Sequence, residues 1–248
     1  MSRIYKKPPL VEAVCEFVLA PGSGWDLTTP GLLYEGLKGD YPIKEPHSGN
    51  ELRLAETPGG LGQELMPIQR MRFVSPDRRA LVQAGFSESL LSVHCFAPYP
   101  GWELFRPRIS QAFDLMCAAI GTYDLERIGL RYINRIAVPE TDLELQRYFR
   151  FYPYIDEGLP QKVGTFLVGA VFPVDSDAAT CKIQLSDLGE EKQSASLFML
   201  DIDYALARPK GVPQSDAMEW IESAHASIEA VFEGCLQDDL RALFEEDV

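Results

Sequence analysis

Glu126-Arg127-Ile128-Gly129-Leu130-Arg131-Tyr132-Ile133-Asn134-Arg135-Ile136 is the stretch from which the fold of this chain is read. Side chains on a β-strand point alternately to its two faces. The spacing therefore puts Ile128, Leu130, Tyr132, Asn134 and Ile136 on one face, and Arg127, Arg131 and Arg135 on the other. Arginines four residues apart stand about 13 Å from one another on such a strand. A row of this kind can hold a carboxylate, a phosphate or an acidic partner segment, because the guanidinium fork matches planar anions. It can equally pair with some of the chain's own 37 acidic side chains on a solvated sheet face. Asn134 is polar on an apolar face, so once buried it must be hydrogen-bonded, and ordering a backbone edge is its commoner use. Arg127, Arg131, Asn134 and Arg135 are the candidate ligand- or partner-binding residues.

Outward from this strand the same periodicities recur. Pro8-Pro9 holds the chain extended before Leu10–Leu19, which alternates as a strand. Thr29-Pro30 opens a short helix with proline at its first position. Residues 44–64, rich in Gly, Pro and Glu, read as a loop with a short strand near 51–55. Strands follow at 70–74, 80–86 and 90–97, the first two joined at Ser75-Pro76-Asp77-Arg78. Trp102, Phe105, Ile109, Ala112, Phe113, Met116 and Ile120 recur at helical spacing, with Pro107 acceptable in the first turn. Thr141-Asp142-Leu143-Glu144 has the form of a capping box. Three further strands cover 166–173, 180–185 and 196–206, with turns at Asp175-Ser176-Asp177 and Asp187-Leu188-Gly189-Glu190. A last helix capped by Ser215 or Asp216 carries Ile221, Ala224, Ile228, Val231, Phe232 and Cys235 on one face. The expected fold is a single α+β domain over 1–248. It is a mostly antiparallel sheet with two long helices packed on it, arranged as two βββα repeats. Its halves would be 1–150 and 163–248, divided by the Gly/Pro loop at 151–162.

The net charge of −14 argues against nucleic acid and against an anionic membrane. It suits a basic protein partner, or serves solubility alone. No apolar run approaches the length of a membrane span, and no secretory pattern follows Met1-Ser2-Arg3. The five cysteines are odd in number, lack metal-binding spacing and mostly lie in apolar surroundings, as reduced thiols of the cytoplasm do. His47, His94 and His225 show no ligand spacing, and His225 reads as a helix-flank residue satisfied by a neighbour. GxSxG, SxxK, GxGxxG and the P-loop pattern are all missing, so no catalytic residue, metal or cofactor is expected. Asp201-Ile202-Asp203 puts two carboxylates on one strand face, as the polar side of an alternating strand.

Lys7-Pro8-Pro9-Leu10-Val11-Glu12-Ala13-Val14, the Gly129–Ile136 strand and the His225-x-x-Ile228-x-x-x-Phe232-Glu233 helix together resemble a sporadically distributed family of uncharacterised bacterial proteins. The resemblance spans nearly the whole chain. It implies a cytoplasmic bacterial protein without assigned catalysis, and a patchy distribution like that of defence or toxin-neutralising genes. Two functions are expected. One is a non-enzymatic protein-binding or regulatory protein, with a basic partner or a second copy in a homodimer. The other is a domain that holds an anionic small molecule or nucleotide on the arginine strand.

Overall fold

In a computed structural model of the protein, Leu10–Leu19 forms β1 and Leu125–Val138 forms β6. The two pair antiparallel in the interior of a nine-stranded sheet. The structure describes residues 3, 5–57, 60–86, 88–121, 123–141, 143–160, 164–174, 178–191, 194–209 and 211–245. The other strands are β2 Ile43–Thr57, β3 Gly60–Val74, β4 Ala80–Gly85, β5 Leu90–Phe96, β7 Leu167–Val174, β8 Ala179–Glu191 and β9 Ala195–Leu206. Their order is β2-β3-β4-β5-β1-β6-β9-β8-β7, and the neighbouring pairs are antiparallel. From β1 the chain goes out to the β2 edge and returns hairpin by hairpin to β5, beside β1. From β6 it goes out to the β7 edge and returns to β9, beside β6.

The α-helices among the described residues are α1 Thr29–Leu37, α2 Trp102–Ile120, α3 Leu145–Tyr148, α4 Ala217–Cys235 and α5 Asp238–Phe244. The alternation within β1 and β6 explains where they pack. Ala13, Cys15 and Phe17 share a face with Ile128, Leu130 and Tyr132, and this face is closed off from solvent. Phe113 of α2 packs against Phe17 with ring centroids 4.6 Å apart, and Trp220 of α4 against Tyr204 at 5.8 Å. The arginine row lies on the opposite face, set by the register pairs Val14↔Arg131 and Val18↔Arg127.

Several boundaries differ from expectation for physical reasons. Residues 44–64 are not a loop: β2 and β3 continue the ladder as a long hairpin, because cross-strand backbone bonding overrides weak local propensity. Asp187–Gly189 is a bulge inside β8 instead of a turn, with Gly189 at φ +86° supplying the left-handed residue. The last helix ends at Cys235 because Leu236 turns extended and bridges to Phe149. Pro107 lies inside α2, past its first turn. Asp216 is the N-cap of α4, but no side-chain bond caps that helix. The helix expected from Thr141 begins only at Leu145, without a side-chain cap. Asp142 of the expected capping box and the turn at Asp175-Ser176-Asp177 lie outside the described residues.

Phe17 is fully buried on β1 against α2. Phe17→Ala should cost about 3–5 kcal/mol, read as a lower urea midpoint at an unchanged slope.

Candidate functional site

The arginine row is threaded into the sheet. Arg127 Nε donates to Glu16 on β1 at 3.1 Å, and its Nη2 reaches both oxygens of Asp203 on β9 at 2.9 and 3.0 Å. Arg131 grips Asp201 as a fork, at 2.8 and 2.6 Å. Those bonds push the already basic Arg131 guanidinium higher still. Each arginine therefore ties its strand diagonally to a neighbour. Gly129 explains how Arg127 lies so flat: a Cβ there would stand 3.0 Å from Nη2. Arg135 is exposed on the same face. Asn134 is buried on the other face, where its Nδ2 donates to the Leu200 carbonyl of β9 at 3.2 Å. The four candidates thus do not share one surface. The two carboxylates of Asp201-Ile202-Asp203 are spoken for by Arg131 and Arg127.

A second polar line crosses the same face. Ser92 Oγ lies 2.9 Å from His94 Nε2, and His94 Nδ1 lies 2.8 Å from Glu12. This is the connectivity of a charge relay, and the sequence hid it because Glu12 and His94 lie on different strands. Ser92, however, is only 2% exposed, with Gln83 Nε2 3.4 Å from its hydroxyl. A nucleophile must be approached, so the line here satisfies strand-to-strand polar groups.

On the helix face, three sequence segments converge. Tyr5 donates to Glu233 of α4 at 2.6 Å, and the Arg135 N–H bonds the Pro9 carbonyl at 2.9 Å. Tyr132 Oη lies 2.9 Å from His225 Nδ1, and Tyr99 Oη lies 3.4 Å from Tyr132 Oη. His225 stacks on Trp102 with centroids 4.0 Å apart, and its Nε2 is 3.5 Å from Glu229. Burial lowers the His225 pKa and raises those of Tyr99 and Tyr132, which keeps all three neutral near pH 7. Tyr99 also lines a cleft of about 600 Å³ with Lys6, Lys7, Pro8, Leu10 and Pro98. The sequence placed His225 beside a neighbour but gave no sign of the tyrosines reaching it.

The third feature is apolar. Among the described residues, Tyr154, Leu159, Leu167, Val171, Phe172 and Leu188 are six of nine exposed large hydrophobic side chains. All six fall within residues 154–188; Leu167, Val171 and Phe172 lie on β7 and Leu188 on the neighbouring β8. No group of three or more His, Cys, Asp or Glu among the described residues is placed to hold a metal ion. No helix among them is long and apolar enough to cross a membrane.

Arg127→Ala should cost about 1 kcal/mol, since solvent screens these half-exposed pairs, by leaving Glu16 and Asp203 without their cation. Gly129→Ala should destabilise the native chain. In the Arg127→Ala background it should instead stabilise by about 0.5–1 kcal/mol, as alanine does in a strand with room for it. Urea midpoints of the four proteins measure both, and equal effects of Gly129→Ala in the two backgrounds would refute the close approach. Comparisons with protein-family models, with curated proteins and with solved structures found no match.

Proposed function

We propose that the chain is a non-enzymatic cytoplasmic binding protein whose partner docks on the β7 end of the sheet. The carrying observation is the concentration of exposed apolar side chains there. Soluble proteins seldom leave such patches without a use. β7 ends the sheet, so its outer row of backbone N–H and C=O groups is an edge. Residues 164–174 contain no charged side chain. The opposite edge, β2, carries Lys44, Glu45 and Pro46, which blunt it against pairing. A partner segment that adds as a strand would gain main-chain bonds from β7 and seat alternate apolar side chains on Leu167 and Val171. Pro173 limits the usable length at one end.

The net charge of −14 favours a basic partner. Asp187 of β8 stands beside the start of β7, its N–H 3.0 Å from the Phe166 carbonyl. A second copy, pairing β7 with β7 about a twofold axis, is the homodimeric form of the same reading. Five unpaired thiols support a reducing compartment. The element order is consistent with the two expected βββα repeats, with β3, β4 and β5 preceding α2 and β7, β8 and β9 preceding α4. A role in defence or toxin neutralisation would suit a protein that works by covering a partner. The arginine strand is a weaker candidate for a ligand site, since Arg127 and Arg131 are held by carboxylates.

Val171 is 62% exposed, so Val171→Glu should leave the fold within about 0.5 kcal/mol of the parent. Native mass spectrometry of the tagged protein from its own host should show a stoichiometric partner or a dimer, and the substitution should remove it. Retention of the same complex by Val171→Glu would rule out this edge.

A further inference from the structure

The cleft beside Tyr99 has the size of a small-molecule site, which runs from roughly 300 to 1,000 Å³. Its chemistry is divided. Pro8, Leu10 and Pro98 give an apolar wall, whereas Lys6 and Lys7 bring positive charge to a chain of net −14. Glu245 of the C-terminal segment pairs with Lys7 and holds it at this end of the molecule. Tyr5 is committed to Glu233. Tyr99 lines the cleft, and its hydroxyl leads inward to Tyr132.

The direction of the inward chain follows from its end. Nε2 of His225 faces the Glu229 carboxylate at 3.5 Å, which favours the hydrogen on that nitrogen. Nδ1 then accepts the Tyr132 O–H, and the Tyr132 oxygen accepts the Tyr99 O–H. In this state the Tyr99 hydrogen is taken up by Tyr132. Protonation of His225 at Nδ1 reverses each bond: the imidazolium donates to Tyr132, Tyr132 donates to Tyr99, and the Tyr99 hydrogen is freed for another acceptor. Burial disfavours that cation in the empty protein. The groups around it suit it better once a negative charge arrives. Glu222 and Glu229 lie on its own helix and Glu103 on α2, while Trp102 offers its ring face. Arg106 of α2 pairs with Glu222 and offsets part of that acidity.

We propose that the cleft binds a small carboxylate with an apolar body, and that its charge is balanced by one proton taken up on His225 as the Tyr99–Tyr132–His225 chain reverses. The apolar wall seats the body, the lysines attract the charge, and Tyr99 donates to a carboxylate oxygen. No covalent bond changes; one proton leaves solvent and two hydroxyl groups rotate. The bound anion raises the proton affinity of His225. Affinity for the anion therefore rises as pH falls, across the interval between the free and bound His225 pKa values.

Isothermal titration of the full-length protein with benzoate tests this, at about pH 6 and about pH 8, either side of the ordinary histidine range. Two buffers of different ionisation enthalpy read the proton. Benzoate should bind more tightly at the lower pH with net proton uptake. Benzyl alcohol and inorganic phosphate should each bind at least about tenfold more weakly, lacking the charge or the apolar body. Tyr99→Phe should weaken benzoate by about tenfold or more. Tyr132→Phe and His225→Gln should abolish the proton uptake. No saturable benzoate binding, binding without proton uptake, or unchanged affinity in Tyr99→Phe would each overturn the proposal. Phosphate binding as tightly as benzoate would overturn the apolar-body requirement. The proton count on the unaltered protein stands even if a buried variant fails to fold.

Discussion

The antiparallel pairing of β1 with β6 is the constraint on which the rest of this structure depends. It joins two strand sets that otherwise touch mainly through helices. β5 to β2 build outward from β1, and β9 to β7 build outward from β6. Apart from Asn134, the inward faces of both central strands are built from hydrophobic side chains; α2 lies along β5 and Phe17 of β1, and α4 along β6 and β9. A slip of one residue in this register would turn one strand over relative to the other, putting either Phe17 out to solvent or Ile128 out and Arg131 into the core. The hydrophobic alternation forbids that slip, and so one register is specified.

The two faces of this sheet solve opposite problems. On the helix-free side the charges of β1, β6 and β9 satisfy one another across the strands, and Gly129 makes the room for Arg127 to lie down. Ion pairs this exposed contribute little individually, but they fix diagonal neighbours and leave few charges for a ligand. On the helix side the polar groups are fewer and buried, so each must find a partner. Asn134 finds the backbone of β9. Tyr132 and His225 find each other, and through Tyr99 their bonds extend to a cleft at the end of the sheet. Exposure of apolar surface is concentrated elsewhere, at β7, where the sheet runs out of strands to cover it.

Much of this architecture was legible because periodicity is local. Alternation in 10–19 and 125–138 identifies the strands and their two faces, and helical spacing in 102–120 and 217–235 identifies α2 and α4. The hairpin at 43–74 was obscured by its Gly, Pro and Glu content, since its ladder is made by backbone groups that composition does not report. The bulge at Asp187–Gly189 looked like a turn for a related reason: glycine at positive φ serves both, and only the continuing pairing with β9 separates them.

The candidate sites divide along the same line. By itself the sequence determined that Arg127 and Arg131 share a face, that Asp201 and Asp203 share a face, and that His225 flanks a buried stripe. Tertiary structure alone decided that these carboxylates and arginines are partners, that Glu12 meets His94, and that Tyr99, Tyr132 and His225 form one chain. Which side chains lie on one face follows from backbone geometry within a segment. Which faces meet follows from strand order, and strand order is set by the competition of all segments to bury apolar surface at once.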